Sequence, residues 1–136
     1  MKKAILLLLM SILTMGLQAQ TLRDASNAVM GKIEQDGTVR NKSNAKIGKI
    51  ESDGTIRDKS NARVGKIESD GTIRDKNNAR VGKVESDGTI RDKSNSRLGK
   101  IESDGSVRNA SNAKIGSAQG VNRRWAATFF FFQFYN

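Results

Sequence analysis

From Gly31 to Ile115 the chain repeats one 17-residue unit five times, as Gly31–Ile47, Gly48–Val64, Gly65–Val81, Gly82–Leu98 and Gly99–Ile115. Each copy stays close to G-K-I-E-S-D-G-T-I-R-D-K-S-N-A-R-V. A half copy at residues 21–30 precedes them, because Thr21–Ala28 aligns with the second half of the unit. Self-similarity at a fixed period signals a repeat architecture and constrains the fold before any other feature. It also bears on function. A copied residue gives a copied surface, which suits binding or scaffolding better than one asymmetric catalytic centre.

Within the unit apolar residues are few, and Ile67, Ile73, Ala79 and Val81 represent the third copy. Their even spacings fit a strand period of two and not a helical period. Ser69-Asp70-Gly71 and Lys76-Asn77-Asn78 mark two turns in the copy. A three-residue loop at the first turn pairs Ile67 with Ile73, Lys66 with Arg74 and Glu68 with Thr72. That register separates apolar from polar faces, and a one-residue slip would mix them. Its left-handed position falls on Gly71, and on Gly37, Gly54, Gly88 and Gly105 in the other copies. The second loop pairs Ile73 with Val81 and Arg74 with Arg80. Its left-handed position falls on Asn78, and on Asn44, Asn61, Asn95 and Asn112 elsewhere. Alternation breaks between Val81 and Val84. Gly82 in that gap reads as a bulge, bend or close backbone approach that turns one hairpin into the next.

Two short strands per unit, joined by tight turns, are antiparallel neighbours. The expected fold is all-β: a closed radial antiparallel repeat of five to six hairpin units, with ring closure hiding the strand edges. The alternative is a β-solenoid with parallel strands between coils. The half unit at 21–30 lacks its first half, which Gly116–Gly120 supplies if the ring closes through the termini.

From Val121 the repeat stops. Residues 121–136, VNRRWAATFFFFQFYN, hold the only Trp, the only Tyr and all five Phe. Phe129–Phe132 reads as a strand buried on both faces, and the expected role of this closing segment is to plug the middle of the ring. The competing readings are an exposed patch for a partner and an outer-membrane insertion signal, the latter weak because the chain ends in Asn136 and the repeats show no lipid-facing apolar stripe of useful length.

Residues 1–19 read as a signal peptide: Lys2 and Lys3 precede a short apolar run, and Leu17-Gln18-Ala19 gives a small-residue cleavage context. Such an N-terminal helix directs residues 20–136, a single repeat domain, to the periplasm, cell surface or extracellular space. No segment of the mature chain is apolar enough over sufficient length to be a transmembrane helix. The formal charge of +10 becomes +8 when Lys2 and Lys3 leave. The surplus is spread over the copies, which makes Lys66, Arg74, Lys76, Arg80 and Arg91 candidate polyanion contacts. The partner class this suggests is an anionic polysaccharide of the envelope or a host. The repeats hold no aromatic residue to stack on bases, which argues against specific nucleic-acid binding.

There is no His and no Cys. That removes His-based general base catalysis, thiol nucleophiles and the usual zinc sites. Glu68 and Asp70 recur in every complete copy, and read as cross-strand pairing and turn chemistry, not as a catalytic pair. The string E-S-D-G-T-I-R-D offers oxygen ligands but lacks the register of a calcium loop, and Asp in a type I turn needs no metal. No cofactor fingerprint is present. The reading is a non-enzymatic structural or binding module, with a self-assembling envelope scaffold as the alternative.

The motifs D-G-T-I-R-D and S-N-A-R-V-G-K-I, repeated after a signal peptide and followed by a Phe-rich tail, resemble the five-fold β-flower family of small exported bacterial proteins. The resemblance spans Thr21 to about Phe132. It implies a closed pseudo-five-fold β arrangement and lends no catalytic, cofactor or metal residues. Bactofilin-like β-solenoids have units of similar length and are the structural rival, although they usually lack two tight turns per coil.

Overall fold

The computed structural model describes residues 20–135. The segment at 1–19, expected from its sequence to be a signal peptide, lies outside them. Twelve strands follow the repeat: β1 Gln20–Asp24, β2 Val29–Ile33, β3 Thr38–Asn41, β4 Lys46–Ile50, β5 Thr55–Asp58 and β6 Arg63–Ile67, then β7 Thr72–Asp75, β8 Arg80–Val84, β9 Thr89–Asp92, β10 Arg97–Ile101, β11 Ser106–Asn109 and β12 Lys114–Ser117. They form one closed antiparallel barrel in chain order, with β1 sealing against β12 through Arg23–Ser117 and Asp24–Gly116. The ring therefore holds six hairpins, the upper end of the expected count. The complete copies supply five, and the termini build the sixth from β12 and β1. The parallel stacking of a solenoid does not occur.

The first turn has the expected register, since Ile67 faces Ile73 and Lys66 faces Arg74. Gly71 N–H donates to the Glu68 carbonyl at 3.0 Å, and Glu68 N–H donates to Thr72 at 2.8 Å. The Gly71 carbonyl then accepts from Val84 N–H at 2.9 Å, which stitches this hairpin to the next. The second turn pairs Arg74 with Arg80 but places Ile73 opposite Gly82, not Val81. The cause is a bulge that leaves Val81 without a partner. Gly82 and Val84 can then both point inward, and Val81 is released to lie along the tail. Gly82 is thus a mid-strand residue, and not the joint between hairpins.

Inside the barrel the repeat builds two rings of side chains. Ile33, Ile50, Ile67, Val84, Ile101 and Ala118 form one; Leu22, Val39, Ile56, Ile73, Ile90 and Val107 form the other, and all are buried. A barrel of this strand number is too wide for its wall residues alone to fill. The filling comes from the tail, but not as a strand. Residues Arg123–Phe130 form a helix, α1, whose Ala126, Ala127 and Thr128 are fully buried against the rings. A closed barrel has no free edge for another strand, so a buried segment satisfies its backbone best as a helix. Asn122 caps it by accepting from Arg124 N–H at 2.9 Å, and Ala126-Ala127 favours it. Arg123 and Arg124 donate to the carbonyls of Ser86 and Ser69 at 3.0 and 2.8 Å, fixing the N-terminal end of α1 on two first turns.

Beyond Thr128 each aromatic side chain of the tail meets a different hairpin. Phe129 lies on Gly31, Phe130 on Gly116, Phe131 on Gly99, Phe132 on Gly82, Phe134 on Gly65 and Tyr135 on Gly48. The tail thereby makes one circuit of the barrel mouth, visiting the hairpins in reverse chain order and skipping only Gln133. These six glycines are docking notches. A Cβ at Gly82 would stand 2.6 Å from the Phe132 ring and 2.5 Å from the Arg91 carbonyl oxygen. The Tyr135 hydroxyl lies 2.9 Å from Thr128 Oγ1, which itself donates to the Trp125 carbonyl. Burial raises the pKa of that phenol.

The two turns choose different left-handed residues for a geometric reason. Gly37, Gly54, Gly71, Gly88 and Gly105 have φ of 91–93°, whereas Asn44, Asn61, Asn78, Asn95 and Asn112 have φ of 67–69°. The smaller value lies in the region Asn tolerates, and the larger one favours Gly. A side chain at Gly71 would also strike the Val84 carbonyl. Gly71→Ala should therefore lower stability by more than about 2 kcal/mol, and Asn78→Ala by about 1 kcal/mol. Denaturant melts of the two variants measure this ordering, and equal losses would contradict the turn assignment.

Candidate functional site: a basic belt on the outer wall

Strand alternation sends the residues next to the core positions outward, and cross-strand pairing aligns them in rows. Lys32–Arg40–Lys46, Lys49–Arg57–Arg63, Lys66–Arg74–Arg80, Lys83–Arg91–Arg97 and Lys100–Arg108–Lys114 are five such rows, one per complete copy. The sixth row, at the seam, is Ser117–Arg23–Val29. The belt is thus cationic around five hairpins and interrupted where the termini meet. Gln119 stands there in place of the repeated Glu, and Ala25 in place of the turn Lys.

The middle residue of each complete row is not free. Arg74 Nε donates to Glu68 Oε1 at 2.7 Å, while its Nη1 donates to the Asn78 carbonyl at 3.1 Å. Arg91 does the same with Glu85 and Asn95, at 2.8 and 3.2 Å. Arg40, Arg57 and Arg108 repeat the pair with Glu34, Glu51 and Glu102. Each Arg is a strut tying the first turn of its hairpin to the second. Glu68 also relieves the like-charge contact of Arg74 with Arg80. Such half-exposed pairs contribute little individually, at most about 1 kcal/mol.

The sequence treated Lys66, Arg74, Lys76, Arg80 and Arg91 as one set of contacts. The structure divides them. Lys66 and Arg80 flank the strut of their row, whereas Arg74 and Arg91 are committed to carboxylates. Lys76 lies off the belt, on a second turn at the barrel end where the tail aromatics sit. Spacing alone does not say which cation has a partner, although Glu and Arg six residues apart across a hairpin loop are a usable signal. The docking glycines are legible as points of bulge or close approach, but the rings that approach them are not, because those lie far along the chain.

The first-turn carboxylates serve the fold. Backbone and hydroxyl hydrogen bonds from Thr72 hold the Asp70 carboxyl below its ordinary pKa, and Thr55 and Thr89 do so for Asp53 and Asp87. The Thr72 N–H reaches Asp70 Oδ1 at 2.9 Å. This bonding accounts for the repeated Asp without a metal. Among the described residues no cluster of His, Cys, Asp and Glu is arranged to hold a metal ion.

A family model described as 5-fold beta-flower protein matches residues 19–134 of the chain. No match was found among curated proteins or among solved structures.

Proposed function

Because the chain belongs to the 5-fold beta-flower protein family, whose repeats here carry copied charge and no concentrated chemistry, we propose that it is a non-enzymatic binding module. It acts after export, in the periplasm, at the cell surface or outside the cell. Its partner is an anionic polysaccharide of the envelope or a host, held along the outer belt. The observation that carries this reading is the alignment of three cations in each of five successive rows, against one Glu in the row and, beside Lys49, Lys66, Lys83 and Lys100, one Asp of the preceding first turn. One row attracts an anion weakly. A polyanion that spans several rows adds their contributions through multivalency. Self-assembly by strand addition has less support, because the closed barrel offers no edge to extend.

The test is a heparin titration of the mature protein at low and at moderate salt. Binding should be micromolar to millimolar and should fall with salt, since screening shortens to about 8 Å at physiological ionic strength. Charge reversal of Lys49, Lys66, Arg80 and Lys83 to Glu should abolish it with the melting temperature preserved. Arg74→Glu should instead lower the melting temperature, because it breaks the strut and faces Glu68. Heparin binding that survives the four reversals, or none at low salt, removes the belt from consideration and moves an assembly role ahead.

A further inference from the structure

Between the second turns of two neighbouring hairpins and the tail lies a groove of about 450 Å³. Phe132 and Phe134 line it from the tail, Val64 and Val81 from the wall, and Asp58 and Asp75 from the turns. The two rings stand 6.3 Å apart between centroids, tilted by 35°. Two irregularities place it there. Gln133 separates Phe132 from Phe134, so the tail spends an extra residue between the notches at Gly82 and Gly65. The residue that opens the second turn is Asp at 24, 58, 75 and 92 but Asn at 41 and 109, so carboxylates stand on both turns where the groove opens.

We propose that this groove binds an alkylammonium ion, a positively charged nitrogen bearing apolar substituents. Aromatic rings attract a cation through their quadrupole, and methyl or methylene groups on the nitrogen lose water favourably against Val64 and Val81. The carboxylates supply the charge. Asp75 Oδ1 accepts from Asn77 and Ala79 N–H at 2.9 and 3.0 Å, and Asp58 Oδ1 accepts likewise from Ser60 and Ala62. These turns use one oxygen of each carboxylate and leave the other for a ligand. Lys76 also lines the groove, and Arg63 Nη1 lies 3.5 Å from its carbonyl, so the two cations balance the two carboxylates in number and the site's pull on a cation comes from the free carboxylate oxygens and the rings. A bare metal ion would gain from the carboxylates alone and nothing from the valines. This proposal does not rest on the basic belt, although Arg63 of one belt row reaches the rim of the groove.

The probe is choline chloride, titrated into the mature protein and followed by NMR. The control is its uncharged carbon isostere, in which a tert-butyl group replaces the trimethylammonium. Choline should shift the resonances of Val64, Val81, Phe132 and Phe134, and the isostere should bind at least about tenfold more weakly. The double variant Asp58→Asn, Asp75→Asn removes charge without removing the turns, because Asn41 and Asn109 accept the same backbone bonds at 2.9 and 3.0 Å. It should keep its melting temperature and bind choline about tenfold more weakly. Phosphatidylcholine vesicles separate the sources of the headgroup: co-sedimentation that choline competes away assigns a lipid surface, and choline binding without it assigns a free ligand. Equal binding of the isostere, unchanged choline binding in the double variant, or no response at the solubility limit of choline overturns the proposal.

Discussion

A chain truncated after Asn122 is expected to lose cooperative folding and to aggregate. The truncation removes α1, which fills the barrel interior with Ala126, Ala127 and Thr128, and all six aromatic side chains that occupy the docking glycines. Full burial of a large apolar side chain contributes about 1.5–3 kcal/mol. Because these rings are only partly buried, half the lower value gives about 5 kcal/mol for the six. That already matches the total stability of a marginal domain, about 5–15 kcal/mol. Loss of the helix adds an empty apolar interior, which further destabilises the wall. Truncation after Thr128 separates the two effects, since it keeps most of the helix and removes the rings; it should leave a folded fraction that melts far lower. Circular dichroism and size-exclusion chromatography read both variants. A monomeric protein with unchanged melting after either truncation would show that the tail is not part of the fold.

Gly82→Ala should destabilise by about 3 kcal/mol, although Ala suits a strand no worse than Gly does. The added methyl would meet the Arg91 carbonyl at 2.5 Å and the Phe132 ring at 2.6 Å. The ring can withdraw, but the carbonyl belongs to the neighbouring strand and cannot move without opening the β8–β9 ladder. The expected fall in melting temperature is about 10 °C or more. Gly120 is the internal control. Its φ is +77°, but nothing lies within 4 Å of a Cβ there, so Gly120→Ala carries backbone strain alone. It should lose about 1 kcal/mol. Combining Gly82→Ala with Phe132→Ala should cost less than the sum of the two, because they share one contact. Additive losses would mean that the ring does not sit on the glycine.

Much of the barrel was legible because its information is local. Loop length, facing and the left-handed residues all follow from residues within one copy, and Ile67 opposite Ile73 needed nothing more. Closure through the termini was legible from the half copy. The bulge beside Gly82 was legible as a break in alternation, but the partner it serves was not, because the ring that meets Gly82 lies fifty residues away. The helix was misread for a similar reason. Phe129–Phe132 has strand composition, but the barrel it enters has no edge left, and that is a property of the closed ring and not of the tail. One signal was available. Six glycines at the head of successive units, counting Gly116, match the five Phe and one Tyr that follow Thr128. The candidate binding surface was legible as charge but not as partnership, since Arg74 is a free cation in the sequence and a strut in the fold.

The circuit of the tail is open to direct observation by an aromatic-edited NOE experiment on protein carrying labelled Phe, Tyr and Gly. Each ring should show contacts to the α-protons of one glycine: Phe129 to Gly31, Phe130 to Gly116, Phe131 to Gly99, Phe132 to Gly82, Phe134 to Gly65 and Tyr135 to Gly48. Those α-protons should also be moved from their usual shifts by the adjacent rings, whereas Gly37, Gly88 and Gly105, at the opposite turns with no ring beside them, should not be. Rings that contact several glycines without preference, or none, would contradict a barrel closed and filled by its own tail.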